Sequence, residues 1–174
     1  MIYYNHREHH TTPKGLDNMT KFVSTTIPSF RYDAERKGAK YSLDNGEHWL
    51  NAGEFAEAVL KFAMGFSPCK DANTAFEAGS DIPELNMSVK SSRATLTSEV
   101  LGKDLTASLN TYFERTASTS WAWTVVTDET VTAYIMNAEE FRKFTEEWAG
   151  YNTEGRVRYK VTSGKMVKWF EERV

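Results

Sequence analysis

The chain reads as an α/β protein, a central mixed β-sheet flanked by helices. Segments with apolar residues at every second position alternate with segments whose apolar residues recur every three or four, the periods of strand and helix. Their order is helix, hairpin, helix, two strands, helix, strand, helix, the pattern of a layered α/β domain. At 174 residues, 40% hydrophobic and 13% aromatic, the chain is large enough for one domain with a substantial core.

Residues 1–45 read as an irregular N-terminal segment and residues 46–174 as the α/β domain. Three histidines cluster at His6 to His10 without cysteines or a helical frame, the pattern of a solvated tail more than of a metal site. Thr25 to Tyr32 predicts a short strand that buries Ile27, Phe30 and Tyr32, kept at an edge by Pro28. Arg31, Arg36, Lys37 and Lys40 make a loosely basic stretch.

Asn51 followed by Glu54 is a capping-box pattern, and it predicts a helix to Gly65 with Phe55, Val59, Phe62 and Phe66 inward. Glu54, Glu57 and Lys61 share its other side, the arrangement of a solvated face with a Glu57–Lys61 pair. Leu85, Met87 and Val89 alternate with Asn86, Ser88 and Lys90, which predicts a strand. Gly79, Ser80 and Pro83 are turn formers around Asp81.

Lys103 to Arg115 reads as a second helix burying Leu105, Leu109, Tyr112 and Phe113. Ser120 to Thr127 and Thr130 to Met136 form a hairpin, in which Trp121 and Trp123 share a face suited to the core. Asn137 with Glu140 caps a third helix, Ala138 to Ala149, burying Phe141, Phe144 and Trp148. Arg156 to Thr162 is a strand with Arg156, Arg158 and Lys160 on one face, either a nucleic-acid track or a charged edge strand that blocks aggregation. Lys165 to Arg173 closes the chain as a helix with Met166, Trp169 and Phe170 inward.

A net charge of −3 shows no global basic bias, so any nucleic-acid contact must come from a local patch. One cysteine excludes an internal disulfide and a cysteine-rich zinc site. No apolar run approaches the ~18 residues of a membrane span, and no signal-peptide core is visible. The expectation is a soluble cytoplasmic protein without a membrane partner.

The chemistry concentrates at Gly79 to Ser92. If the chain turns near Glu84 to Asn86, Asp81 comes alongside Lys90. A carboxylate able to hold a hard cation then stands beside an ammonium able to steady a phosphate or a nucleophilic water. Ser91, Ser92, Arg93 and Thr95 follow, small or cationic donors suited to phosphate oxygens.

This hairpin resembles that of the PD-(D/E)xK nucleases, the restriction-endonuclease-like superfamily. Asp81 matches the family's Asp and Lys90 its Lys, whereas the tripeptide Ser88-Val89-Lys90 lacks the middle carboxylate. In an extended strand Glu84 would stand about 20 Å from Lys90, so it can substitute only if the hairpin folds it back. Many members carry Gly-x-x-x-Glu on the preceding helix, which Gly53 to Glu57 matches. The resemblance covers Asn51 to Met136 and implies a nuclease-like fold in which Glu57 and Asp81 hold Mg²⁺ or Mn²⁺. It further implies that Glu57, Asp81, Lys90 and Glu84 cleave phosphodiesters.

The DIPELNMSVKSS hairpin and the closing TSGKMVKWFEERV are similar to small accessory proteins of Gram-positive plasmids, phages and integrative elements. Some of these are anti-CRISPR proteins, one type of which truncates the effector's guide RNA. The expected partners are therefore nucleic acid, as guide RNA or DNA, and a type II CRISPR effector. A protein that only occupies nucleic acid or an effector surface is the competing expectation, because Ser88 stands where a carboxylate belongs.

Overall fold

The computed structural model describes residues 19–67, 80–91, 95–96, 105–151, 157–159 and 163–174. Its main sheet has the order β1–β7–β6–β4, formed by β1 (Thr20–Ser24), β4 (Met87–Lys90), β6 (Ser120–Val126) and β7 (Val131–Met136). β1 and β6 each run antiparallel to β7, and β4 runs parallel to β6, so the sheet is mixed. Two smaller sheets accompany it. One pairs β2 (Arg31–Tyr32) with β3 (Tyr41–Ser42), and the other orders β5 (Thr95–Leu96), β9 (Val157–Tyr159) and β8 (Ala149–Tyr151) as β5–β9–β8.

Alternation along β6 and β7 sends different residues to the two faces. Trp121, Trp123, Tyr134 and Met136 point to one face, where they pack with Leu109, Phe141, Phe144, Met166, Trp169 and Phe170. Those residues come from α2 (Leu105–Arg115), α3 (Ala138–Trp148) and α4 (Ser163–Glu171). Ala122, Val131 and Ala133 point to the other face and meet Phe55, Val59 and Leu60 of α1 (Ala52–Ala63), together with Ile82, Met87 and Val89. Aromatic bulk thus fills the three-helix side, while alanines let α1 approach the other.

Local chemistry explains the helix boundaries. Asn51 accepts from the Gly53 and Glu54 N–H groups, and Glu54 accepts from the Asn51 N–H, which closes the capping box. Asn137 and Glu140 exchange the same two bonds at α3. Trp121 and Trp123 are core residues, 1% and 0% exposed, as the strand pattern predicts.

Three expectations are corrected. Residues 20–24, read within the irregular N-terminal segment, form one of the two edge strands of the main sheet. Only Phe22 of this strand points to the core while Val23 is 53% exposed, so its pattern is faint and pairing with β7 determines it. In the Thr25–Tyr32 stretch only Arg31 and Tyr32 form a strand, and Tyr32 is 54% exposed rather than buried. Strand β9, which includes Arg158, lies between β5 and β8, so the protective-edge reading of that segment does not hold.

The three-helix layer is joined to the sheet edge by a polar contact. Glu171 accepts from the Tyr134 hydroxyl at 2.5 Å and pairs with Lys21 Nζ at 2.6 Å. The Lys21 contact, ahead of the Tyr134 bond, holds Glu171 below the usual carboxylate range, and burial raises the Tyr134 hydroxyl. No described helix is long and apolar enough to cross a membrane.

Phe141 is 0% exposed and stacks on Trp121 at 4.9 Å between ring centroids. Phe141→Ala is expected to cost about 3–5 kcal/mol, through lost burial and the cavity left behind. Urea denaturation followed by tryptophan fluorescence checks this; a change below about 1 kcal/mol would show that the three-helix layer is not a packed core.

Candidate functional site

The site is assembled where α1 meets the chain before β4. Ile82 forms an isolated antiparallel bridge with Met87 through two backbone bonds, Ile82 N to Met87 O at 2.9 Å and Met87 N to Ile82 O at 3.2 Å. Between them lies the 3₁₀ turn Pro83–Leu85, and Asn86 completes the reversal at φ 47°, a left-handed conformation asparagine tolerates. The Asn86 carbonyl accepts from the N–H groups of Thr119 and Ser120, which ties the turn to the start of β6.

This tight bridge leaves Asp81 beside β4. Its Oδ2 accepts the Val89 N–H at 2.6 Å, doing for the strand what a neighbouring backbone carbonyl would otherwise do. One carboxylate oxygen is thereby oriented while the other keeps lone pairs to offer. Ser80, immediately before it, is 3% exposed, and its hydroxyl meets no partner among the described residues.

Met87 and Val89 face α1 in the core, so Ser88 and Lys90 take the alternate face of β4. Ser88 is 7% exposed and shares a hydrogen bond with Ser118, Oγ to Oγ 2.7 Å. Lys90, the last residue of β4, is half-buried.

Glu57 closes the group from α1. Burial above all, then the Asp81 carboxylate and more weakly Glu54, push its carboxyl up to about 8, against a partial offset from the Lys90 ammonium. Asp81 and Lys90 are therefore both close enough to act on the charge of Glu57, although separated from it in sequence by 24 and 33 positions (81 − 57 and 90 − 57).

The solvated-face reading of α1 is corrected here. Lys61 is 5% exposed, and its Nζ lies 3.4 Å from Oε1 of Glu84. Glu84 sits in the 3₁₀ turn, folded back toward α1 rather than strung out along an extended strand. Ser91 follows β4, half-buried. Ser92, Arg93, Arg156 and Lys160 lie outside the described residues, as do His6 to His10, and only the backbone of Arg158 is described. In the loosely basic stretch, Arg31 donates to the Asn45 carbonyl at 2.8 Å, and Arg36 lies over Trp49 at 4.4 Å.

Sequence reading passed over a second group, Asp44, Glu47 and His48, whose ligand atoms lie within 4.8 Å of one another. The spacing of acidic and imidazole groups around Asn45 and Gly46, both at positive φ, is the signal that marks it. Asp44 already accepts from the His48 N–H and Ser42 Oγ, and its Oδ2 lies 2.6 Å from His48 Nδ1. The His48 backbone bond first, then those side chains, holds its carboxyl well below the usual range.

A scan of protein-family models, a search of curated proteins and a search of solved structures each find no match to this chain.

A carboxyl whose pKa folding raises binds more protons in the folded than in the unfolded state between the two values. Its contribution to stability therefore falls as pH rises from about 4.5 to about 8. Glu57→Gln, neutral throughout, is expected to melt close to the wild type at pH 4 and progressively higher than it up to pH 8.5, with divalent ions chelated. A melting-temperature difference that stays constant across that range would show that Glu57 does not titrate as a buried acid.

Proposed function

We propose that the protein is a metal-dependent phosphodiesterase, a nuclease built around Glu57, Asp81 and Lys90 on a restriction-endonuclease-like fold. The observation that carries this reading is that the Asp81 carboxylate and the Lys90 ammonium both reach Glu57, whose carboxyl is driven up to about 8 by burial and then by Asp81. Strongly perturbed acids of this kind concentrate at functional sites.

The donor set fits Mg²⁺ or Mn²⁺. Both carboxylates supply the oxygen donors a hard cation prefers. At neutral pH the Glu57 carboxyl holds a proton chiefly because burial disfavours its charged form and secondly because Asp81 repels it, and a divalent cation in the proton's place would offset both. When bound, such an ion polarises a phosphate and makes a coordinated water more acidic.

The chain's own groups divide the remaining work. Asp81, oriented by the Val89 N–H, and Glu57, once ionised, would hold the cation. Glu84 stands in the turn of the same hairpin but is engaged with Lys61. The Lys90 ammonium orients the attacking water or faces the negative charge developing on the phosphoryl oxygens. Ser91, Ser92 and Arg93, and the basic stripe Arg156, Arg158 and Lys160, are proposed contacts to the substrate backbone. The similarity to mobile-element proteins points to the guide RNA of a type II CRISPR effector as substrate, with specificity borrowed by binding the effector.

One observation favours a second reading, inhibition by occupancy. Ser88, in the place of the motif's middle carboxylate, is buried in a bond with Ser118 and offers no charge to an ion. A protein that only occupies nucleic acid or an effector surface needs no metal.

Labelled guide RNA and single- and double-stranded DNA, each with Mg²⁺, Mn²⁺ or EDTA and with or without a CRISPR effector, separate the two. Metal-dependent products are expected, reduced about 10²–10³-fold or more in Asp81→Ala and Lys90→Ala while both variants stay folded by circular dichroism. No product under any condition, together with a stable complex, would replace cleavage by occupancy.

A further inference from the structure

Lys61 follows Glu57 by one helical turn, so the two share a stripe of α1. That stripe faces away from Phe55 and Val59, where water is the expected neighbour, yet Lys61 is 5% exposed. Lysine is almost never buried without a partner, and Glu84 supplies one at 3.4 Å. The Glu84 side chain is 44% exposed against 7% for Lys61, so the pair runs from the interior to the surface.

Glu84 lies three residues after Asp81, inside the turn whose bridge at Ile82 determines where Asp81 stands. The ion pair therefore joins the same two elements that carry Glu57 and Asp81. Those two carboxylates repel once both are ionised, and repulsion alone would move α1 and the turn apart. Ile82, 0% exposed among Val59 and Leu60, supplies apolar attachment without direction. The Lys61–Glu84 contact supplies attraction between defined atoms.

We infer that Lys61 is a positioning residue: by gripping Glu84 it holds the Pro83–Leu85 turn against α1 and sets the spacing of the Glu57 and Asp81 carboxylates. The inference rests on the reading of those carboxylates as a divalent-cation site. Lys61 itself does not touch the cation or the phosphate.

Mn²⁺ binding, read from the electron paramagnetic resonance signal of the free ion, tests it on the full chain without any substrate. Lys61→Met and Glu84→Gln are each expected to weaken Mn²⁺ binding about 10- to 100-fold, the usual effect of removing a group that orients metal ligands. Lys61→Arg, which keeps the charge, is expected to stay near the wild type. Wild-type protein that binds no Mn²⁺ overturns the cation-site reading and this inference with it. Wild-type protein that binds Mn²⁺ no more tightly than Lys61→Met and Glu84→Gln overturns the inference alone. Weakened binding in Lys61→Arg equal to that in Lys61→Met also overturns it, because loss of packing rather than of the ion pair then explains the effect. Should Lys61→Met fail to fold, Glu84→Gln decides, since it alters the partly exposed end of the pair and leaves the buried side chain in place.

Discussion

Helix α1 buries Phe55, Val59 and Leu60 against β4, Ile82 and the alanine face of β6 and β7, and that packing brings a charged stripe of the same helix onto the hairpin. The apolar gain is large, since each such side chain contributes roughly 1.5–3 kcal/mol when it leaves water. It is enough to carry along an arrangement that is unfavourable by itself. Glu57 loses water beside Asp81, and Lys61 loses water beside Glu84. Asp81 has little room to retreat, because Oδ2 is committed to the Val89 N–H and Ile82 is bridged to Met87 on both backbone groups. An unfavourable placement of charge is thus held in place by packing.

The sheet is a stiff support for that arrangement because its two faces are filled differently. On one face Trp121, Trp123, Tyr134 and Met136 meet three helices through stacked and edge-on rings. On the other, Ala122 and Ala133 present little volume, which lets α1 lie close to β6 and β7. Close approach in turn is what puts Glu57 within electrostatic reach of Asp81 and Lys90. Glu171, shared by Tyr134 and Lys21, ties α4 to β7 and β1, so the last helix supports the sheet from the edge opposite β4.

Ser88 gives the proposed nuclease reading its particular form. Its hydroxyl and that of Ser118 satisfy one another in a buried position, where a carboxylate would need a charge partner or an ion to offset desolvation. Any cation held here would draw its protein charge from Glu57 and Asp81. Such a site is weaker than one with three carboxylates, and the orientation of its two ligands matters correspondingly more.

Much of the fold was legible because it rests on neighbours in sequence. Capping boxes at Asn51 and Asn137 act over three residues, the helical stripes over one or two turns, and the alternation of Trp121 and Trp123 over one strand. The sequence by itself therefore determined the α/β class, the principal helices, the central hairpin and the residue types, Glu57, Asp81 and Lys90, able to do chemistry. Tertiary structure alone decided that Thr20–Ser24 joins the sheet, since its pairing with β7 spans more than a hundred residues and its own pattern is faint. It also decided that Lys61 turns from water to Glu84, and that Glu57 becomes an acid of pKa about 8. Those outcomes depend on desolvation and on charges brought near by folding. Neither quantity is a property of local spacing; each exists only once α1 is seated on the hairpin.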